Sequence, residues 1–302
     1  MTNSGGIVIC RPAPIAVESG QTVGFTLISD PHLGAPNVNE KKIEEELMTA
    51  AAKGDRIALN GDIFDAIFTR DKRYTPNVIH PRFRGRNDLA NAVLEFAVEF
   101  FSPYVGQIDM IGVGNHDVTL EKFSNLDLVA LLVHELQKLA SKSHTIHYGG
   151  YNGFLDYRFR FKGEKENKDS RLCKGQRLVI YYHHGSGGAA PVTKGMIDFA
   201  RRGYADCDVL WHGHKHTRLN ASVEKLKCPL FGNHPIIREV RHIQTGAYFL
   251  TYRGQSQESL RKHGRRSNYA ADAGMDPQGQ GGARLLVTFP TSKDPYVMRV
   301  VQ

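Results

Sequence analysis

The sequence predicts an α/β fold, and three observations carry that expectation. Apolar, strand-like runs alternate with segments of helical spacing through the first two thirds of the chain. Five stretches at successive strand ends deliver aspartate, asparagine or histidine, four of them directly beside glycine. From about residue 216 onward the pattern is mostly strand. The layering therefore has an α+β character, with helices concentrated early and strands late.

In chain order, GFTLISD (24–30) is a β-rich run that ends in a carboxylate. Residues 39–53 have helical spacing, and Gly54 stands where a helix C′ glycine would. RIALNGD (56–62) is a second strand ending in a carboxylate. Residues 88–101 read as a helix stopped before Pro103. QIDMIGVGNHD (107–117) reads as a third strand running into polar groups, and 125–141 as an amphipathic helix. FLDYRFRF (154–161) alternates as a half-exposed strand does. QRLVIYYHHG (176–185) and CDVLWHGH (207–214) are buried strands that end in histidine. Stretches at about 66–87 and 253–282 read as loop insertions, and no linker divides the chain, so 1–302 is expected to form one domain.

The chain has 302 residues, 41% of them hydrophobic and 23% charged, with a net charge of +8. That is an ordinary globular composition with a mild preference for acidic partners. No apolar run approaches the ~20 residues of a membrane span, so no membrane partner is expected. The first residues carry no basic start followed by an apolar stretch. Cys10, Cys173, Cys207 and Cys228 are far apart and form no C-x-x-C pair, which suits reduced thiols and a cytoplasmic location.

Histidine is more informative. Seven of the 14 histidines fall into short clusters beside aspartate and glycine. The blocks are Asp30-Pro-His32, Gly61-Asp62 with Asp65, Gly114-Asn115-His116-Asp117, His183-His184-Gly185, and His212-Gly213-His214-Lys215-His216. In an α/β sheet such groups meet beyond the carboxyl ends of strands. Carboxylate, imidazole and amide oxygen without thiolate suit divalent Mn, Fe, Zn or similar ions.

In order and type these blocks resemble the calcineurin-like metallophosphoesterase superfamily, whose pattern is D-x-H, G-D-x-x-D, G-N-H-(D/E), a strand-closing histidine and G-H-x-H. The resemblance covers residues 30–216. It implies a β-sandwich of two mixed sheets flanked by helices, two divalent metal ions and hydrolysis of a phosphate ester. It places Asp30, His32, Asp62 and His216 on one metal, with Asp62 bridging. Asn115, His214 and one of His183 and His184 would hold the other; the spacing before Gly185 favours His183, with His184 kept as the alternative. His116 would be the general acid, oriented by Asp117, and Asp65 would support a ligand. The nucleophile would be a hydroxide bridging the metals. His212 is expected to be structural, as it stands just before the glycine of the last block.

The two insertions are basic. Arg82 and Arg84 in the first, and Arg265 and Arg266 in the second, are candidates for meeting substrate. They are interrupted by Pro76, Pro81 and Gly85, and followed by Ser267, Asn268 and Tyr269, which reads as a shaped lid more than a continuous stripe for nucleic acid. A DNA nuclease and a protein phosphatase remain alternative readings of the same metal pattern, and an inactive scaffold is the third. Val118 follows Asp117 where the protein phosphatases carry arginine.

Overall fold

A computed structural model of the chain describes residues 6–65, 79–163, 176–187, 193, 195–227, 234–250, 279–292 and 294–302. Its strands form two mixed sheets packed face to face, with helices on their outer sides.

One sheet is built on the first predicted strand. It contains β3 (Thr22–Ile28), β4 (Arg56–Leu59), β5 (Ile108–Gly112) and β6 (His147–Gly150), all parallel in that order. β12 (Ala283–Thr288) pairs antiparallel with β3, and β13 (Val297–Val301) closes that edge. The other sheet runs β1 (Val8–Cys10), β7 (Asn152–Phe161), β8 (Arg177–His183), β9 (Val209–His212), β11 (Ile236–Gln244) and β10 (Leu219–Lys227), and β2 (Ile15–Val17) also pairs with β7. Here β8, β9 and β11 are mutually parallel.

The inner faces hold the central core. Phe25 and Leu27 on β3, with Leu285 and Val287 on β12, meet Leu155, Tyr157 and Phe159 on β7 and Leu178, Ile180 and Tyr182 on β8. The outer face of the first sheet is covered by α1 (Glu40–Lys53), α2 (Leu89–Phe101) and α4 (Leu128–Leu139). α1 shows why such a segment becomes a helix. Ile43, Leu47 and Ala50 recur on one face and are buried, the Asn39 side chain accepts from Lys42 N, and Gly54 ends the helix at φ 65°. The outer face of the second sheet is covered by α5 (Met196–Arg202), through Phe199.

Two expectations change. The predicted third strand stops at Gly112, and Asn115–Ser124 is a helix, α3, with Asp117 in its first turn. The predicted helix at 125–141 begins later. Asn125 caps α3 with φ 52°, and the Asp127 side chain accepts from Ala130 N to start α4. Of the basic insertions, 66–78 and 251–278 lie outside the described residues. Among the described residues, no helix is long and apolar enough to cross a membrane.

The pairing of β12 with β3 makes a segment near residue 285 part of the same core as β3. Leu285 is fully buried. Leu285→Ala should therefore destabilise the protein by about 2–5 kcal/mol in urea unfolding, with a single transition. A loss under about 0.5 kcal/mol, as expected of a surface position, would contradict this packing.

Candidate metal centre

The carboxyl ends of β3, β4 and β5 from one sheet, and of β8 and β9 from the other, converge on one cleft. The backbone ties them before any side chain does. Asp30 N and His32 N donate to Gly61 O and Asp62 O, both at 3.0 Å, and Gly213 N donates to His184 O at 3.0 Å. Across the sheets, His184 Nδ1 donates to Asn60 O at 2.9 Å and Asn60 Nδ2 donates to His183 O at 3.3 Å.

Among the described residues, three groups of potential ligand atoms result, each with its atoms within 4.8 Å of one another. They are Asp30, His32 and His216; Asp62, His184 and His214; and His32, Asp65 and His116. The first two share a border. Asp62 Oδ2 lies 3.7 Å from His32 Nε2 and 3.2 Å from His184 Nε2, so one oxygen faces both triads. The other, Oδ1, accepts from His116 N at 2.8 Å. Asp30 Oδ1 is 3.4 Å from His216 Nε2 and 3.8 Å from His184 Nε2. Both Asp30 oxygens also accept from His214 N.

The backbone here is strained. Among the described residues, six non-glycine positions have positive φ, and five of them are Asp30, His32, Asp62, His214 and His216. Such conformations cost about 1–3 kcal/mol each and persist where the surroundings over-determine them. Gly114 shows how close the packing is: a Cβ there would collide with Asp62 Oδ1 and with the Asp62 backbone nitrogen.

Electrostatics follow from burial. Asp30 is 0% exposed and Asp62 1%. Burial alone would raise both carboxyls, yet the imidazoles of His184 and His216 hold Asp30 down, and those of His184 and His32 hold Asp62 well below the usual carboxylate range. Burial would likewise depress His184, but the Asp62 and Asp30 charges push it up to about 10. His32, with less compensation, is pushed down to about 3 by burial.

These residues fit divalent ions. Asn115 Oδ1 is buried without a hydrogen-bond partner, and the Asp62 carboxylate at 3.2 Å is what His184 Nε2 faces, so a cation placed there would satisfy both atoms. His184 Nδ1 and His214 Nε2 each meet a backbone carbonyl, Asn60 O at 2.9 Å and Gly187 O at 3.0 Å, which sets the tautomer as second partners of ligating histidines do. His32 is held by stacking on Phe249 at 4.3 Å and 22°. No sequence signal marked Phe249.

The geometry departs from the sequence reading at three points. His184, and not the favoured His183, faces Asp62. Leu178, Ile180 and Tyr182 on β8 point into the sandwich, and the alternation carries on to His184. His183 instead lies on the other face near His212, its Nδ1 accepting from Gly185 N at 2.9 Å. Next, Asp117 does not orient His116. Its carboxylate accepts from the N–H groups of Ile63, Phe64 and Gly114 at 3.2, 3.0 and 2.8 Å, so it clamps the turn beside Asp62. Burial and the Asp62 charge push it up to about 7. The partner of His116 is Asp65, whose Oδ1 is 2.9 Å from Nδ1. Last, Arg82 pairs with Glu40 at 3.3 Å and lies over the Phe96 ring at 4.1 Å, while Arg84 Nε donates to Ile79 O. Both of these guanidinium groups are held within the chain. Arg265 and Arg266 lie outside the described residues.

No protein-family model matches the chain, and no curated protein matches it in sequence. Among solved structures, it is similar to a conserved uncharacterized protein from Streptococcus pneumoniae TIGR4 described as a predicted phosphoesterase, at 12% identity over 93% of this chain and 99% of that one, with a TM-score of 0.33. It is also similar to a metallophosphoesterase from Sphaerobacter thermophilus, at 16% identity over 93% and 89%, TM-score 0.32. A third is the anchor in the inner membrane complex of Plasmodium, at 10% identity over 93% and 84%, TM-score 0.42. At these identities and TM-scores the likeness carries no argument about chemistry.

Metal uptake should release a proton. In the metal-free protein near neutral pH, His184 is charged, since its proton leaves only near 10. A ligating imidazole must be neutral. Calorimetry of Mn²⁺ binding in buffers of different ionisation enthalpy should show about one proton released from this site, and apparent affinity should rise about tenfold per pH unit above neutrality. Binding without proton release would contradict the charge state assigned to His184.

Proposed function

We propose that this chain is a metal-dependent phosphoesterase of the calcineurin-like kind, with two divalent ions held on either side of Asp62. The observation that supports this most directly is the placement of Asp62 Oδ2 between the two triads. Asp30, His32 and His216 would hold one ion; His184, His214 and Asn115 would hold the other. The donor set suits Mn, Fe or Zn. Bound ions would polarise the phosphoryl group and supply an acidified water.

The chain's own groups do the rest. His116 Nδ1 is paired with Asp65, so proton exchange with substrate falls to Nε2. As the phosphorus–oxygen ester bond breaks, His116 delivers a proton to the leaving oxygen. His116 N, by donating to Asp62 Oδ1, also fixes the carboxylate shared by both triads. General acid and shared ligand would thereby be set in register through the backbone and the ring of one residue. Asp117 holds the turn that makes this register, through three backbone N–H groups.

A panel of nitrophenyl phosphate monoesters and diesters, alkyl esters, and single- and double-stranded DNA, with Mn²⁺ added, tests this reading. Hydrolysis of at least one class is expected, and Asp62→Asn should abolish it. His116→Ala should retain metal and lose about 10²–10⁴ in rate on alkyl esters. It should lose much less on nitrophenyl esters, whose leaving group needs little protonation. An equal loss on both would remove His116 from the acid's role, and no hydrolysis of any class would contradict the proposal.

A further inference from the structure

Beneath α5 lie three charges that the reaction does not use. Asp198, Arg202 and Lys215 are 7%, 9% and 8% exposed. Lys215 Nζ is 3.4 Å from Asp198 Oδ2, and Arg202 Nη1 donates to Asp198 Oδ1 at 3.0 Å. Two cations thus share one buried carboxylate. Such groups add little net stability over an apolar equivalent, because desolvation offsets attraction. What they hold is therefore more informative than what they contribute to stability.

They hold the turn after His184. Lys215 Nζ donates to the carbonyls of Ser186 and Gly187 at 2.6 and 2.9 Å, and Arg202 Nη2 donates to Ser186 Oγ at 3.1 Å. Gly187 O is the carbonyl that also meets His214 Nε2 at 3.0 Å. That contact puts the ring proton on Nε2 and the lone pair on Nδ1. Lys215 itself stands between His214 and His216 in sequence. A continuous path runs from Asp198 through Lys215 and the Gly187 carbonyl to the ring of His214. Gly185 brings the two loops into close approach: at φ 125°, a Cβ there would meet His214 Cβ at 2.6 Å.

We propose that Lys215, Asp198 and Arg202 are positioning residues for the triad of Asp62, His184 and His214. They aim the Gly187 carbonyl at His214 and so fix its ring and tautomer. The inference rests on the reading that this triad holds a metal ion.

The test is Mn²⁺ titration of the full chain after metal stripping, followed by calorimetry and electron paramagnetic resonance. The unmodified protein should bind two ions. Lys215→Met should keep one at normal affinity and weaken the other about 10–100-fold, the loss typical of a removed outer partner. Lys215→Arg should recover part of it, and Asp198→Asn should weaken the same ion while keeping its contact to Arg202. Imidazole ¹⁵N shifts of the metal-free protein should show His214 protonated at Nε2, and a tautomer mixture in Lys215→Met. Unchanged affinity and tautomer in Lys215→Met would overturn the inference while leaving the metal centre standing. So would equal weakening of both ions, or metal loss that only tracks loss of folded protein. An unmodified protein that binds no metal would overturn the functional reading and this inference together.

Discussion

Two carboxylates buried where two sheets meet set the terms for this molecule. An ionised carboxylate taken out of water costs several kcal/mol unless donors or cations surround it. Asp30 and Asp62 meet that demand with groups drawn from distant parts of the chain. Asp30 takes the backbone N–H of His214 from the opposite sheet. Asp62 takes the N–H of His116 at the start of α3, and its other oxygen faces His184 and His32. Each carboxylate thus fastens a loop that carries further candidate ligand residues. Without metal, the proton on His184 supplies part of the missing positive charge. A bound metal ion would displace that proton and supply the charge itself.

The strain of the site has the same origin. Asp30, His32, Asp62, His214 and His216 adopt positive φ because their loops must turn sharply at strand ends to aim side chains inward. Parallel strands align their carboxyl ends, so β3, β4 and β5 present one row of turns and β8 and β9 another. Backbone bonds such as Asp30 N to Gly61 O, and Gly213 N to His184 O, lock neighbouring turns to each other. The turns are held mutually, and the side chains they carry are held with them.

Much of this was legible in the sequence because the ligand blocks are local. Asp30, His32, Asp62, His214 and His216 stand in short strings with glycine adjacent or within a few residues, and each string ends or follows an apolar run. What was not legible depends on direction. Leu178 to Tyr182 is a continuous apolar run because β8 is covered on both faces, so no alternation in polarity told His183 from His184. Asp117 and His116 are adjacent in sequence, yet Asn115 begins a helix, where neighbours point about 100° apart. Asp117 therefore turns back to the Gly114 amide, and Asp65, 51 residues from His116, becomes its partner. α5 is seven residues long and follows a stretch rich in glycine, too short to show a helical period. With it went any sight of the charges that hold Lys215.

The central claim is that Asp62 stands between two metal ions. Anomalous diffraction at the manganese edge, from crystals grown with Mn²⁺, tests it most directly. The account predicts two peaks about 3.5–4 Å apart, the spacing of two-metal hydrolytic sites. One should lie against Asp30, His32 and His216, the other against His184 and His214, with Asp62 contacting both. A single peak, or peaks that leave Asp62 uncoordinated, would contradict it.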